Sequence, residues 1–152
     1  MIYPVALKLK GKNCLVAGGG SVALRKIKRL VRSGARVRVA SPDATAEIIR
    51  LSAERRIKYF KRVFKPADLK GVFLVIAATN DSRVNAKICS LASAKNILAN
   101  SVTAAGQAGF LNMAELNTGG FLVAVSSSGR NVKKAVQLRD RLEKFLKGGK
   151  KT

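Results

Sequence analysis

The sequence predicts an α/β fold built on a doubly wound parallel sheet. Three observations carry this. Short apolar runs alternate with amphipathic helical stretches along most of the 152 residues. The best of these runs are continuous rather than alternating, as in strands covered on both faces. The first run leads directly into three glycines and then a helical pattern, so its order is strand, turn, helix.

Each element follows from local pattern. Residues 1–10 alternate, with Val5, Leu7 and Leu9 on one side and Lys8 and Lys10 on the other, which suits an edge strand or an extended arm. Residues 14–17 form the first strand. Ala23, Ile27, Leu30 and Val31 recur at helical spacing, and Gly34 closes that helix. Residues 36–40 read as the second strand and end at Ser41-Pro42-Asp43. Residues 45–55 read as a helix with Ile48, Ile49 and Leu51, and 57–60 as a third strand. Pro66 opens a brief helical turn. Residues 72–78 are the best central strand. Thr79-Asn80-Asp81-Ser82 then starts a helix to Ala94, with Val84, Ile88 and Leu91 sharing a face. Residues 97–99 make the fifth strand. Beyond Asn100 the pattern changes to a small, polar loop over 101–109. A strand (110–116), a turn (117–120), a strand (121–126) and a helix (131–146) follow. That helix is expected to turn Val132, Ala135, Val136, Leu142 and Phe145 inward.

The resulting division is residues 1–110 as a Rossmann-like nucleotide domain, 111–147 as a small αβ domain, and 148–152 as a basic tail. The small domain cannot bury its own sheet face, so a dimer partner is expected to cover it.

Composition bounds the function. Thirty Lys+Arg against 8 Asp+Glu give a net charge of +22, which favours anionic partners. The basic residues are dispersed, and aromatics are only 5%, so a base-stacking platform is poorly supplied and nucleic acid is disfavoured. No apolar run is long enough for a membrane span, and the first residues lack signal-peptide character. Cys14 and Cys89 sit in apolar segments and read as buried, reduced thiols, so a cytoplasmic location is expected. Histidine is absent, which removes the commonest proton shuttle near neutral pH; no metal site is expected.

Gly18-x-Gly20-x-x-Ala23 matches the dinucleotide fingerprint in its Ala-ended form. Gly18 suits the tight turn, Gly20 lets a pyrophosphate approach the backbone, and Ala23 lets the helix pack close. The helix-start N–H groups after Gly19, Gly20, Ser21 and Val22 then face phosphate. The competing reading is a plain structural turn. Past the second strand, Asp43 is the nearest acid for an adenosine ribose, beside Ser41 and Pro42; it equally suits the start of the next helix. Arg38 nearby leaves NADP open as well as NAD. Thr79 and Asn80 can hydrogen-bond a nicotinamide ribose or simply cap a helix. Ser126, Ser127, Ser128 and Arg130 form either an anion nest or a capped helix start. A hydride transfer with proton loss also needs a base. Between Ile97 and Ala114 there is neither acid nor histidine, and Asp81 and Glu115 are the nearest candidates.

Taken together, several segments resemble the precorrin-2 dehydrogenase/sirohydrochlorin ferrochelatase family, the front module of sirohaem synthase. They are Tyr3-Pro4-Val5 with Leu9, the run from Cys14 to Lys26, Gly34 to Val39, Ile76 to Asp81 with Val84-Asn85, and Val123 to Gly129. They occur in family order over nearly the whole chain. The resemblance implies NAD-dependent oxidation of precorrin-2 to sirohydrochlorin, in some members followed by iron insertion, and a homodimer built through the small domain. It implies that Ser21-Val22 and Pro42-Asp43 touch the cofactor and that Ser127 lies by the tetrapyrrole. It also gives the positive charge a use, attraction of a polycarboxylate. Two departures stand out. The family Asp after the fifth strand is Thr103 here, within Asn100-Ser101-Val102-Thr103, and the segment 104–109 is unlike the family's. The sequence also ends at Thr152, where family members usually continue into a helical domain. A threonine hydroxyl cannot act as a carboxylate base. The alternative is therefore a non-catalytic member that binds dinucleotide or tetrapyrrole, and chelatase activity is the more doubtful half of the implied chemistry.

Overall fold

The computed structural model describes residues 2–103 and 109–148. The segment unlike the family's falls largely on 104–108, and most of the expected tail on 149–152; both lie outside the described residues. Pro4–Phe110 form one compact unit. Leu111 onward, with Ile2 and Tyr3, form a second.

The first unit is a five-stranded parallel sheet in the order β3-β2-β1-β4-β5. Its strands are β1 (Asn13–Ala17), β2 (Arg36–Ala40), β3 (Lys58–Phe60), β4 (Leu74–Ala77) and β5 (Leu98–Ser101). β1 pairs with β2 through Cys14 opposite Val37 and Val16 opposite Val39, and with β4 through Val16 opposite Ile76. The chain winds outward from β1 to β3, then restarts on the other side of β1 with β4. That reversal opens a crevice at the carboxyl ends of β1 and β4.

Both sheet faces are covered, which is why β1 and β4 carry unbroken apolar runs. Cys14 and Val16 pack under α1 (Ser21–Arg32) and α2 (Ala46–Ala53), through Ala23, Ile27, Leu30, Ile48 and Leu51. Leu15 and Ala17 face α3 (Ser82–Ser93) and the 3-10 turn Pro66–Leu69, through Ile88, Cys89, Ala92 and Leu69. Fully burying one such aliphatic side chain is worth about 1.5–3 kcal/mol. Residues 2–9 form no strand. The buried face of α3 is Asn85, Ile88, Cys89 and Ala92, with Leu91 partly buried against the same core; of the expected Val84, Ile88 and Leu91, only Val84 falls outside it. Val84 is exposed, and the polar Asn85 is fully buried beside it.

The second unit is a hairpin and a helix. β6 (Ala114–Thr118) pairs antiparallel with β7 (Phe121–Val125). The strand starts later than residue 110 because the turn pins its end: Gly119 and Gly120 both have positive φ, +54° and +82°, the signature of a two-residue type I′ connection. α4 spans Val132–Gly148, so Gly148 belongs to the helix and not to a tail. Ala135 is buried, and Arg139 donates to the Glu115 carbonyl at 3.2 Å. Val132, Val136 and Phe145, expected inward, are exposed, Phe145 by 76%. Among the described residues, nothing covers these three side chains.

Candidate functional site

The first unit carries a cleft of about 840 Å³ at the carboxyl ends of β1, β2 and β4, where the strand order reverses. The glycine loop forms its floor. Gly18 has φ +125°, and a Cβ there would collide with the Ala78 carbonyl oxygen. A Cβ on Gly19 would collide with the Asp43 carbonyl oxygen. The fold itself therefore demands both glycines. Gly20 differs. Its backbone is extended (φ −79°, ψ −175°), and a Cβ there would meet no atom within 4 Å. Nothing among the described residues calls for glycine at this position. Gly20 is also the N-cap of α1, with no side chain capping the helix, so the first-turn N–H groups of Ser21, Val22 and Ala23 lack helical acceptors. An open, uncapped helix start over a glycine with free space above it fits a pyrophosphate. Ser21 and Val22 are exposed there, and Ala23 is buried against the sheet.

The loop after β2 makes one wall. Ser41 is buried; its N–H donates to the Phe60 carbonyl at 3.2 Å and its own carbonyl accepts from the Tyr59 hydroxyl at 3.0 Å. Burial, with the Asp43 carboxylate nearby, pushes the Tyr59 phenol above its usual value, so it stays a donor. Pro42 and Asp43 are exposed at the cleft. The Thr45 N–H donates to the Gly19 carbonyl at 3.0 Å, and its buried hydroxyl has no partner among the described residues. Arg38 does not line the cleft. Its guanidinium donates to the carbonyls of Asp68 and Lys70 at 3.3 and 3.0 Å. The opposite wall is apolar: Val63, Phe64 and Pro66 face Val84 and Ile88, with Lys87 at the edge. Asp68 anchors that segment. It accepts two hydrogen bonds from Arg62, at 2.9 and 2.7 Å, and one from the Lys65 N–H at 2.8 Å. Arg62 holds its carboxyl below the usual range.

The turn after β4 closes the cleft. Thr79 lines it, but its hydroxyl is tied inward, 2.7 Å from the Asn85 carbonyl oxygen. Asn80 is exposed and lines the cleft. Asp81 is the N-cap of α3: its carboxylate accepts from the N–H groups of Arg83 and Val84 at 2.8 and 3.4 Å. Those backbone bonds, Arg83 first, hold its pKa below the ordinary value. This geometry weighs against Asp81 as the base. A carboxylate stabilised in its charged form by a helix start is a poor proton acceptor. Glu115, the other acid considered, lies on β6 in the second unit.

In that second unit, Ser126 and Ser127 spend their hydroxyl lone pairs locally. Ser126 accepts from the Ser128 N–H at 3.1 Å, and Ser127 from the Asn131 N–H at 2.8 Å. Asn131 caps α4 by accepting from the Lys134 N–H at 2.9 Å. Ser128 and Gly129 take positive φ, +55° and +78°, and Arg130 is exposed. The N–H groups of Ser128 and Asn131 are taken up within the segment, while the Ser126 and Ser127 hydroxyls act as acceptors in these bonds.

The comparisons with known proteins agree with this geometry. Residues 5–113 match the family model NAD_binding_7, described as NAD(P)-binding. The chain is 35% identical over 147 residues to the precorrin-2 dehydrogenase of Bacillus subtilis (strain 168), covering 97% of this chain and 90% of that protein. This chain belongs to the precorrin-2 dehydrogenase family. It is also 41% identical over 143 residues to the siroheme synthase of Methylobacillus flagellatus, covering 94% of this chain and 31% of that protein. It thus spans about a third of the length of the siroheme synthases it matches. A solved structure titled "SirC, precorrin-2 dehydrogenase" superposes with a TM-score of 0.79 at 29% identity, over 97% of this chain and 71% of that one.

Within this family frame, Thr103 stands exposed just beyond β5, and its hydroxyl accepts from the Asn85 amide at 3.1 Å. Sequence reasoning gave Asn85 no role. The usable signal was its place at helical spacing among Ile88, Cys89 and Ala92: one amide on an apolar stripe. The apolar wall of Val63, Phe64 and Pro66 was also missed, because irregular segments carry no periodicity.

Proposed function

We propose that this chain is an NAD-dependent precorrin-2 dehydrogenase, forming sirohydrochlorin in the cytoplasm as a homodimer joined through its second unit. The observation that carries the reading is the match across 90% of a precorrin-2 dehydrogenase, together with a glycine loop whose Gly20 is left open. NAD, when bound, supplies the hydride acceptor. The chain's own part is to hold it: helix-start N–H groups of α1 on the pyrophosphate, Asp43 at the adenosine ribose, and the Val63–Phe64–Pro66 wall against a flat base. NAD is favoured over NADP because Arg38 is committed to two carbonyls and Arg62 to Asp68, while Asp43 stays at the cleft. Lys and Arg excess draws the polycarboxylate substrate, an attraction that weakens with salt. Ser127 and Arg130 are the tetrapyrrole contacts in this reading. The homodimer is supported by the uncovered apolar side chains of the second unit, among them Phe121 at 75% exposure and Phe145 at 76%.

A second reading is favoured by one residue. Thr103 cannot serve as a carboxylate base, and Asp81 is a helix cap. A member that binds dinucleotide or tetrapyrrole without turnover fits those facts. Chelation needs a proton acceptor too, so it forms no part of the proposal. The deciding experiment is turnover of precorrin-2 with NAD, followed by sirohydrochlorin absorbance. A rate useful to a cell supports the dehydrogenase. Absence of turnover, with NAD and sirohydrochlorin both bound, supports the binding protein.

A further inference from the structure

Asn85 is fully buried within α3, and its amide uses both ends. The carbonyl oxygen accepts from the Thr79 N–H at 3.0 Å and the Thr79 hydroxyl at 2.7 Å. The nitrogen donates to the Thr79 carbonyl at 3.0 Å and to the Thr103 hydroxyl at 3.1 Å. Thr103 is in turn braced by Ser101, whose hydroxyl accepts from the Thr103 N–H at 3.2 Å. One side chain thus spans the carboxyl ends of β4 and β5. It fixes the turn that lines the cleft and the residue at position 103 in a single arrangement. A hydrophobic residue at 85 would pack as well against Ile88 and Cys89 but could hold neither.

We propose that Asn85 is a positioning residue, linking the cofactor cleft at Thr79 to the side chain at position 103 through one buried amide. This deepens the dehydrogenase reading and rests on it for what position 103 faces. The amide donor suits any oxygen acceptor at 103, a hydroxyl or a carboxylate. Asn85 therefore orients that acceptor toward the substrate side, and it sets the shape of the Thr79 turn on the NAD side.

The test is a double-mutant cycle with Asn85→Leu, Thr103→Val and the pair, read by NAD titration, sirohydrochlorin titration and turnover. Asn85→Leu is expected to weaken NAD binding about tenfold, the scale of one lost hydrogen bond. Thr103→Val is expected to leave NAD affinity within about twofold, because it keeps the Thr79 bonds. On sirohydrochlorin affinity and kcat, the pair is expected to be no worse than the poorer single variant, since both cut the same bond. A spectroscopic signature accompanies this: the Asn85 side-chain amide signals in 15N spectra shift on adding NAD and shift again in Thr103→Val. Multiplicative losses in the pair, or wild-type NAD affinity in Asn85→Leu, overturn the proposal. If Asn85→Leu does not fold, Asn85→Ala, which likewise removes the amide and its bonds to Thr79 and Thr103, carries the same cycle. A wild type that shows no turnover sinks the dehydrogenase reading alone. The two titrations and the amide signals still decide the role of Asn85.

Discussion

Gly20→Ala separates a structural glycine from a ligand-binding one. Gly20 already has a φ and ψ that any residue adopts, and a methyl group there touches nothing in the protein. Two small effects on stability oppose each other. Alanine is a poorer N-cap than glycine, and it lowers the entropy of the unfolded chain; each is about 0.5–1 kcal/mol, so the net change is near zero. The methyl stands over the helix start where a pyrophosphate would come within hydrogen-bond reach. Losing one charge-assisted hydrogen bond of about 1.5–3 kcal/mol weakens NAD binding roughly 10- to 150-fold. Thermal unfolding with and without NAD reads both terms. At NAD near 100 times the wild-type Kd, binding adds about 2.7 kcal/mol and raises Tm by about 5–11 °C for a chain of this size. A variant weakened thirtyfold keeps about 0.9 kcal/mol of that, a rise of about 2–4 °C. Gly18→Ala is the control. It must place a side chain at φ +125° against the Ala78 carbonyl, so it loses about 3 kcal/mol or more before any ligand is added. If Gly20→Ala binds NAD as the wild type does, the glycine loop is a turn and the cofactor reading of this cleft fails.

Other perturbations test neighbouring parts. Asp81→Asn keeps a good N-cap, so unfolding free energy is expected to change by less than about 0.5 kcal/mol and turnover by less than about twofold; a turnover loss of a hundredfold would restore Asp81 as the base. Asp68 has a carboxyl pKa depressed by Arg62, so it stabilises the fold above its unfolded pKa and loses that contribution as pH falls through the folded value. Asp68→Asn should flatten the acid limb of the stability curve below about pH 4 and leave the neutral-to-alkaline limb parallel to wild type. Burial pushes the Cys14 thiol up to about 11 and raises Cys89 as well. Neither is expected to react with a thiol reagent at pH 8 until denaturant is added, and rapid labelling of the native protein would contradict the buried assignment.

The sheet was legible because its signals are local. Continuous apolar runs, a glycine turn and helical spacing placed β1, α1, β2 and β4 with only small end shifts. What escaped notice depends on contacts between distant segments. Nothing near Asn85 in sequence announces Thr103, and nothing near Arg38 announces the Asp68 and Lys70 carbonyls that occupy it. Asp81 was read as a base for lack of other acids; only the geometry of two backbone N–H groups shows its carboxylate in use as a cap. Phe145 and Val132 fell on an apolar stripe, as expected, but a stripe does not say whether its cover lies in the same chain. The serine run 126–128 has a composition suited to an anion nest, but composition does not announce that the Ser126 and Ser127 hydroxyls accept from neighbouring N–H groups.

Thr103 is better explained by Asn85 than by catalysis. A buried amide N–H left without an acceptor costs about 1–3 kcal/mol, so position 103 is under structural demand for an oxygen whether or not the chain turns over. Threonine meets that demand through its hydroxyl at 3.1 Å, and valine, of the same shape, does not. Aspartate would meet it too, with one carboxylate oxygen on the amide and a second oxygen left over. Thr103→Asp is therefore the substitution that the surroundings already accommodate, and it adds the base that the site otherwise lacks. Turnover rising in Thr103→Asp but not in Thr103→Asp combined with Asn85→Leu would show that the acid works only when the amide holds it. Equal gains in both would mean that position 103 needs a carboxylate and nothing more.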